Sequence, residues 1–272
     1  MSQERIPTLG AIFSEKDVRD YKAVCKVSNK QYPDEFELEL DIVKNQGSIS
    51  SCVAHGLSTV IEYFNKKETG KSTRMSTAYI YGNRNTSILK GEGMIIRDAL
   101  AALRLYGDVS NNKFPGNTEV PEAIKNFNEK CEELYEIGYK NRISSYFRIN
   151  DEDTIKECLM NNGPVVIGMT WYSDIRVRNG IMTSTCEKKN SRGGHCMVIY
   201  GWNSDGWKIQ NSWGKHWGIE GRAIIPYDME IKEIWGVTDD IIEGVDIVKP
   251  YSSDIGKVIA KVLNLFWKLF IK

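Results

Sequence analysis

Three short stretches of this 272-residue chain carry side chains that could react together. The first, residues 45–52, reads NQGSISSC, and it places the thiol of Cys52 directly after Ser50 and Ser51, which can both cap a helix. A thiol at a helix start meets partial positive charge and free N–H groups, and both favour thiolate, the nucleophilic form of cysteine. The same N–H groups can donate to a developing oxyanion. This stretch therefore predicts that Cys52 is a nucleophile.

The other two stretches supply an imidazole and an amide. His195 follows Gly193 and Gly194 at the start of a predicted strand, so its ring can face a cleft with little steric obstruction. Residues 210–218 read QNSWGKHWG and place Asn211 beside two tryptophans. An asparagine oxygen can accept a hydrogen bond from an imidazole N–H and fix its tautomer, and a tryptophan over that pair can exclude water and strengthen the bond.

Together the three stretches resemble the papain-like cysteine peptidases, in which the cysteine precedes the histidine and the asparagine lies further downstream. Residues 45–52 are similar to that family's nucleophile segment, Gly194-His195 to its catalytic histidine, and residues 211–214 (Asn-Ser-Trp-Gly) to its asparagine motif. The resemblance spans about residues 15–245 and is closest to bacterial and viral members.

The resemblance implies a role for each matching residue. Cys52 would attack the scissile carbonyl, His195 would pair with it and protonate the leaving amine, and Asn211 would orient His195. Gln46 would complete an oxyanion hole with the Cys52 N–H. The residues implied in substrate binding are Gly93, Met94, Ser51, Gly194 and Trp213. Gly93, or Met94 if the register shifts by one, would bond an extended substrate backbone, and Trp213 would also shield the histidine–asparagine bond. The resemblance implies no cofactor and no metal.

The chain departs from the family pattern near the nucleophile. Ile49 occupies the position of a cysteine that normally forms a disulfide, and the partner position near Gly91 also lacks cysteine. This paired loss favours a reducing compartment. Val53 replaces a large aromatic residue, which should alter packing behind the nucleophile. Only 45 residues precede Gln46, too few for an inhibitory propeptide of the usual size.

Three further residues have plain structural interpretations. His55 lies one helical turn after Cys52 on the same helix, so we expect a structural role rather than a partnership across a cleft. His216 is expected at the surface near the site. Cys196 directly follows His195, so strand alternation turns it away from the cleft and into the core.

Composition excludes few classes of function. The chain has 36 Lys+Arg and 36 Asp+Glu, and this zero net charge gives no argument for nucleic acid as a partner. The N-terminus lacks an apolar run fit for a signal peptide, and no run of about 18 apolar residues predicts a transmembrane helix. Six widely spread cysteines favour reduced thiols over a disulfide framework. These features predict a cytoplasmic protein.

Hydrophobic periodicity predicts the elements that must position these residues. Helices are expected from about Ser51 to Gly70, at 96–106 and at 120–137, and strands at 165–169, 196–202, 206–210 and 222–226. Helices thus dominate the first half and strands the second, which predicts an α+β protein. With the resemblance, we expect a papain-like two-lobe fold over residues 1–248. A helical lobe (about 26–125) and a β-barrel-like lobe (about 126–248) would flank an active-site cleft.

The last residues stand apart. Residues 249–253 are expected to form a linker, and 254–272 a basic amphipathic helix, since apolar residues recur at three- and four-residue steps among four lysines. Three roles stay open for this helix: binding a membrane surface, packing on the peptidase body or another copy, or binding a different protein partner.

The leading functional hypothesis is a cysteine endopeptidase that hydrolyses peptide bonds of a polypeptide substrate through a thioester acyl-enzyme. One alternative is a catalytically silent papain-fold binding module, which the intact Cys52, His195, Asn211 and Gln46 set disfavours. Another is a papain-like transpeptidase or amidase.

Overall fold

The computed structural model describes residues 9–18, 20–25, 30–84, 91–115, 132–238 and 245–248. Its helices are α1 (Cys52–Thr69), α2 (Thr77–Gly82), α3 (Ile96–Tyr106), α4 (132–138) and α5 (Glu152–Asn161). Its strands are β1 (Ala11–Ile12), β2 (Lys22–Cys25), β3 (Phe36–Glu37), β4 (Met94–Ile95), β5 (Ser145–Arg148), β6 (Val165–Tyr172), β7 (Arg176–Arg178), β8 (Ile181–Thr183), β9 (Ser191–Asn203), β10 (Gly206–Gln210), β11 (Arg222–Ile225), β12 (Glu233–Thr238) and β13 (Val245–Val248).

Helix α1 carries the predicted nucleophile as its first residue. The helix ends at Gly70, whose φ of 71° gives the left-handed conformation that terminates a helix. The predicted bounds are thus confirmed, and Ser51 is the N-cap residue, but the expected side-chain capping bonds are not made. Ser51 makes no side-chain capping bond, and the Ser50 hydroxyl instead donates to Glu92 at 2.7 Å. The start of α1 therefore keeps its backbone N–H groups directed at the site rather than at a capping serine.

The strands form one mixed sheet in the order β13-β2-β5-β12-β6-β9-β10-β11-β8-β7, with β3 and β1 also paired to β9. In the described part of the chain this path is open, so the second half is an extended sheet rather than the expected closed barrel. The four predicted strands are confirmed as β6, β9, β10 and β11, although β6 and β9 are longer than expected. The α+β class and the papain-like fold are confirmed.

The sequence patterns missed the helices α2 and α5 and every described strand except β6, β9, β10 and β11. Helix α2 has only six residues and is apolar on every side, so no 3.6-residue period marks it. Asp151 is the N-cap residue of helix α5, and its side chain accepts a hydrogen bond from the Thr154 N–H at 2.8 Å. Of the helix expected at 120–137, residues 132–138 are helical, and 116–131 lie outside the described residues. The strands β1 and β2 are too short for alternation to reveal them.

Two apolar clusters hold the site in place. One packs α1 and α3 against the sheet, with Leu57, Leu100 and Trp235 buried in it. The other fills the opposite face of the sheet around Phe147 and Trp202. Within the described ranges no helix has the length and apolar character to cross a bilayer. The predicted linker and amphipathic helix at 249–272 lie outside the described residues.

Candidate active site

The two predicted reactive side chains come from different layers of the fold. Cys52 begins α1, and His195 lies in β9, paired with Met169 of β6. Helix α1 packs closely across β9, because Gly56 leaves room there for the Cys196 sulfur. Both Cys52 and His195 have 0% of their surface exposed. The site is therefore assembled where the helix start meets the central strand, and it is covered.

His195 is held by Asn211, as predicted. The Asn211 Oδ1 lies 2.8 Å from His195 Nε2 and also accepts from the Ser212 N–H at 2.7 Å. Because the second bond identifies this atom as an oxygen, the histidine Nε2 must be the donor. The other ring nitrogen, Nδ1, is buried without a hydrogen-bond partner in the described part of the chain. That tautomer leaves Nδ1 able to accept a proton.

Aromatic rings enclose this pair. The Trp213 ring lies over the His195 ring at 4.7 Å between centroids, and Trp171 meets the same ring edge-on at 5.2 Å. Trp217 packs edge-on against Trp213 at 5.8 Å. Trp213 therefore shields the histidine as expected. The sequence analysis did not identify Trp171 as a site residue. Trp171 lies in β6, two residues after Met169, and Met169 pairs with His195 of β9.

Gln46 is oriented by two hydrogen bonds. Its Oε1 accepts from the Ser212 hydroxyl at 2.6 Å, and its Nε2 donates to the Ile49 carbonyl at 2.8 Å. Its backbone N–H also donates to the Ser212 carbonyl at 2.8 Å. Ser212 thus links the loop that carries Gln46 to the strand end that carries Asn211. The amide NH₂ group of Gln46 is directed towards the start of α1, where an oxyanion donor is needed.

Burial controls the charge of the two reactive groups. It raises the pKa of the Cys52 thiol to about 11, although backbone N–H groups of Cys196, Gly10, Val53 and Cys52 itself act in the opposite direction. It lowers the pKa of His195 to about 4, against the effect of the Asn211 bond. In the covered site the pair is therefore a neutral thiol and a neutral imidazole rather than a thiolate and an imidazolium.

The cover is the N-terminal part of the chain itself, residues 9–18, which we call the cleft segment. Ala11 in β1 pairs with Met94 on one side and with Gly194 on the other. The Gly10 carbonyl accepts from the Met94 N–H at 2.8 Å. A side chain on Gly194 would overlap the Ala11 carbonyl, and one on Gly93 would lie 2.6 Å from the Gly10 carbonyl. Residues of the cleft segment therefore lie against both Met94 and Gly194.

Of the predicted substrate-binding residues Gly93 and Met94, only one donates its backbone N–H to the cleft segment. Met94 supplies the backbone donor, whereas the Gly93 N–H donates to the Tyr81 hydroxyl at 3.0 Å. In this structure the donor to the cleft segment is thus Met94, and the predicted role of either residue towards a substrate stays a prediction. The Ser51 hydroxyl is buried 3.3 Å from His55 Nδ1, and its predicted part in substrate binding stays a prediction.

The three residues with plain interpretations lie where expected. His55 is buried in α1, with Nδ1 2.9 Å from the Ser51 carbonyl, and burial lowers its pKa to about 3. His216 is exposed. Cys196 is buried against Gly56 of α1. Among the described side chains, Cys52, Cys158, Cys186 and Cys196 are free thiols, and no group of three His, Cys, Asp or Glu is arranged to hold a metal.

Several known sequences are similar to this chain over most of its length. The family model described as papain family cysteine protease matches residues 33–236. An uncharacterised peptidase C1-like protein of Acanthamoeba polyphaga mimivirus is 24% identical over 268 residues, covering 86% of this chain and 85% of the relative. Cathepsin S of Rattus norvegicus is 28% identical over 216 residues, which are 71% of this chain but only 60% of the cathepsin.

Solved structures show the same fold. The cysteine protease xylellain from Xylella fastidiosa superimposes with a TM-score of 0.73 at 22% identity, covering 89% of this chain and all of that one. Digestive procathepsin L 3 of Tenebrio molitor gives a TM-score of 0.61 at 18% identity, over 81% of this chain and 76% of that one. At these identities the structures establish the fold alone.

Proposed function

This chain belongs to the papain family of cysteine peptidases, and on that premise we propose that it hydrolyses internal peptide bonds of polypeptides through a thioester on Cys52. The observation that carries the proposal is the bond of 2.8 Å between His195 Nε2 and Asn211 Oδ1. It leaves His195 Nδ1 as the only ring nitrogen able to take the thiol proton, as a general base must.

The reaction follows from these atoms. The Cys52 sulfur loses its proton to His195 Nδ1 and attacks the scissile carbonyl carbon, so that a C–S bond forms. The resulting oxyanion accepts from the Cys52 N–H and from Gln46 Nε2. When it collapses, the C–N bond breaks and His195 returns its proton to the leaving amine. A water molecule, deprotonated by His195, then attacks the thioester carbon and a C–O bond forms. The C–S bond breaks, the leaving Cys52 sulfur takes the proton back from His195, and the carboxylic acid leaves.

This cycle needs an open cleft. Water entering the site removes the cause of both pKa shifts, since burial is the largest contributor to each. The pKa of Cys52 then falls and that of His195 rises, so the proton can pass between them. In this proposal the covered structure is a resting form.

The alternative of a silent binding module is less well supported. Such a module has no need for the Ser212 bond that orients Gln46, nor for the aromatic enclosure of His195. Nothing in the geometry separately favours a transpeptidase or an amidase.

The residues Ile49 and Gly91, at the positions of the family disulfide, support our proposal that the enzyme works in a reducing compartment such as the cytoplasm.

The test compares wild type with Cys52→Ala on a mixed peptide library, with products read by mass spectrometry after long incubation. Cys186→Ser is the matched control, because it removes a half-buried thiol outside the site. We expect new internal cleavages with wild type and Cys186→Ser and none with Cys52→Ala. Cleavage that is equal in wild type and Cys52→Ala, or no cleavage by any form, would refute the proposal.

A further inference from the structure

We propose that His55 is a positioning residue of this site, and that it acts through one buried water molecule that it shares with Asn211. The proposal rests on the proposed function, since it concerns how the asparagine that orients His195 is itself held. It gives a role to a small internal cavity that the reaction described above does not use.

The cavity lies behind the reactive pair, where α1 crosses β9 and the end of β10. Its volume is about 10 Å³, which is close to the least that holds one water molecule. Helix α1 and the end of β10 supply most of its polar lining, namely His55, Thr59, Gln210, Asn211 and Ser212. All five of these side chains are buried. The cavity is therefore polar, of the size of one water molecule, and in contact with the orienting asparagine.

Asn211 brings a hydrogen-bond donor to this cavity. Its Oδ1 is engaged by His195 Nε2 and by the Ser212 N–H, so the amide nitrogen is the other polar atom of the side chain. That nitrogen, Nδ2, is buried and has no hydrogen-bond partner in the described part of the chain. A buried NH₂ group without an acceptor destabilises a fold, so Nδ2 requires an acceptor within reach.

His55 brings the matching acceptor. Its Nδ1 lies 2.9 Å from the Ser51 carbonyl oxygen, which can only accept, so Nδ1 carries the proton. Burial lowers the pKa of His55 to about 3, and the ring is therefore neutral near pH 7. In a neutral ring protonated at Nδ1, Nε2 can only accept. Among the described residues, the hydrogen bonds of this ring are those of Nδ1 alone.

The polar side chains of the α1 wall are already engaged. Lys44 Nζ, which also lines the cavity, donates to the hydroxyls of Ser58 and Thr59 at 2.6 and 3.0 Å. It lies 2.8 Å from Glu62 Oε2 as well, so its three protons all have acceptors. The Thr59 hydroxyl donates in turn to the His55 carbonyl at 3.0 Å.

The opposite wall is engaged in the same way. Gln210 Nε2 donates to the Ile42 carbonyl at 3.0 Å, and Gln210 Oε1 accepts from Arg222 Nε at 3.3 Å. The Ser212 hydroxyl donates to Gln46 Oε1 at 2.6 Å. These partners leave none of the polar side-chain atoms of Gln210 and Ser212 in need of the cavity.

One donor and one acceptor are thus left over among the described side chains that line the cavity. A water molecule satisfies both, because it can accept from Asn211 Nδ2 and donate to His55 Nε2. Each nitrogen then has the kind of partner that its protonation state requires. The water joins α1 to the loop that follows β10, directly behind the histidine–asparagine bond.

This bridge would hold the Asn211 amide in its working orientation. The terminal torsion of an asparagine has a broad energy profile, so the amide can turn over when only its oxygen is held. A turned amide would present NH₂ to His195 Nε2, which is itself a donor, and the bond that fixes the histidine tautomer would be lost. With Nδ2 bonded to the water, turning the amide costs a further hydrogen bond. His55 therefore acts on the reaction only through Asn211.

The kinetic test compares three variants by kcat and KM on a cleaved peptide. His55→Leu removes the acceptor, whereas His55→Gln keeps an acceptor oxygen and a donor for the Ser51 carbonyl. Val60→Ala is the matched control, because it shortens a buried side chain of α1 that does not line the cavity. We expect His55→Leu to lower kcat by about tenfold with KM nearly unchanged, as loss of one positioning hydrogen bond predicts. His55→Gln should recover most of the rate, and Val60→Ala should keep the wild-type kcat.

A double-variant cycle separates positioning from a general structural role. In the Asn211→Ala background, His55→Leu should lower kcat no further, because residues that act as one unit are not additive. The same tenfold loss in both backgrounds would overturn the positioning role, since His55 would then act independently of Asn211.

High-resolution crystal structures of wild type and His55→Leu test the bridge itself. We expect an ordered water within hydrogen-bond distance of both nitrogens in wild type and none at that position in His55→Leu. A wild-type structure without this water would overturn the bridge, whether or not the variants fold. Wild type that holds the water but cleaves no peptide would support the bridge and overturn the proposed peptidase activity, so the two failures are distinguishable.

Discussion

The hydroxyl of Ser212 donates a hydrogen bond of 2.6 Å to Oε1 of Gln46. This bond leaves the Gln46 amide nitrogen, rather than its oxygen, directed at the start of α1. It makes Ser212 a positioning residue, because it acts on the oxyanion only through Gln46.

Removing that hydroxyl should weaken the oxyanion hole. We expect Ser212→Ala to lower kcat by about tenfold with KM nearly unchanged, since the lost contact matters mainly in the transition state. Steady-state kinetics on a cleaved peptide checks this. Ser212→Thr retains a hydroxyl and should recover most of the rate. A change confined to KM would contradict the assigned role.

Asn211 should be needed for the correct histidine tautomer. Without its oxygen, His195 Nε2 loses its acceptor at 2.8 Å, and the proton is no longer held on that nitrogen. We expect Asn211→Ala to lower kcat/KM by about a hundredfold or more. Asn190→Ala, outside the site, is the control. Equal kcat/KM values for the two variants would remove Asn211 from the mechanism.

His55 should make the protein less stable in acid. Burial lowers its pKa from 6.5 to about 3 in the folded chain, so below pH 6.5 the unfolded chain binds a proton that the folded chain does not. The free energy of unfolding then falls as pH falls, by up to about 1.4 kcal/mol per pH unit, or about 2 kcal/mol between pH 6.5 and 5.

Chemical denaturation at several pH values of wild type and His55→Gln isolates this contribution. Glutamine keeps a donor for the Ser51 carbonyl but does not titrate in this range, so wild type should lose stability relative to the variant as pH falls. His216→Gln, which removes an exposed histidine, should follow wild type. Parallel curves for wild type and His55→Gln would contradict the assignment.

A buried ion pair joins Lys44 to Glu62 of α1. Lys44 Nζ lies 2.8 Å from Glu62 Oε2, and it also donates to the Ser58 hydroxyl at 2.6 Å. We expect Lys44→Met to lower the free energy of unfolding by about 3–5 kcal/mol, because it leaves a buried carboxylate without its partner. Urea unfolding measures the change.

Adding Glu62→Leu to Lys44→Met should recover much of the loss, since no unpaired charge remains. If the single variant is as stable as wild type, or the double variant is less stable than the single, the pair does not have this role.

The predicted basic helix at 254–272 should bind anionic membranes if its lysines face the lipid headgroups. We expect wild type to co-sediment with phosphatidylserine vesicles, and the full chain with Lys257, Lys261 and Lys268 changed to Glu to lose this co-sedimentation. The same change at Lys140, Lys188 and Lys189, all exposed on the body, is the control. Equal pelleting of both triple variants would exclude the membrane role.

Much of the site could be predicted from local sequence. Cys52 at a helix start, His195 in a strand and Asn211 beside tryptophans are recognisable because each depends on neighbours within a few residues. The bounds of α1 and α3 could also be predicted from nearby residues, because Gly70 and Gly107 end these helices. Local chemistry and helical periodicity are both determined by short stretches of chain.

Tertiary structure alone decided what covers the nucleophile and in which protonation state it rests. Gly10 and Cys52 are 42 positions apart, and no local sequence pattern predicts that they lie close together. Asp20 and Arg148 are 128 residues apart, and they meet only because β2 and β5 are adjacent strands. Burial then raises one pKa and lowers the other, and burial is a property of the packed fold. The sequence thus determined which groups can react, and their long-range packing decided that in this structure they are held at rest.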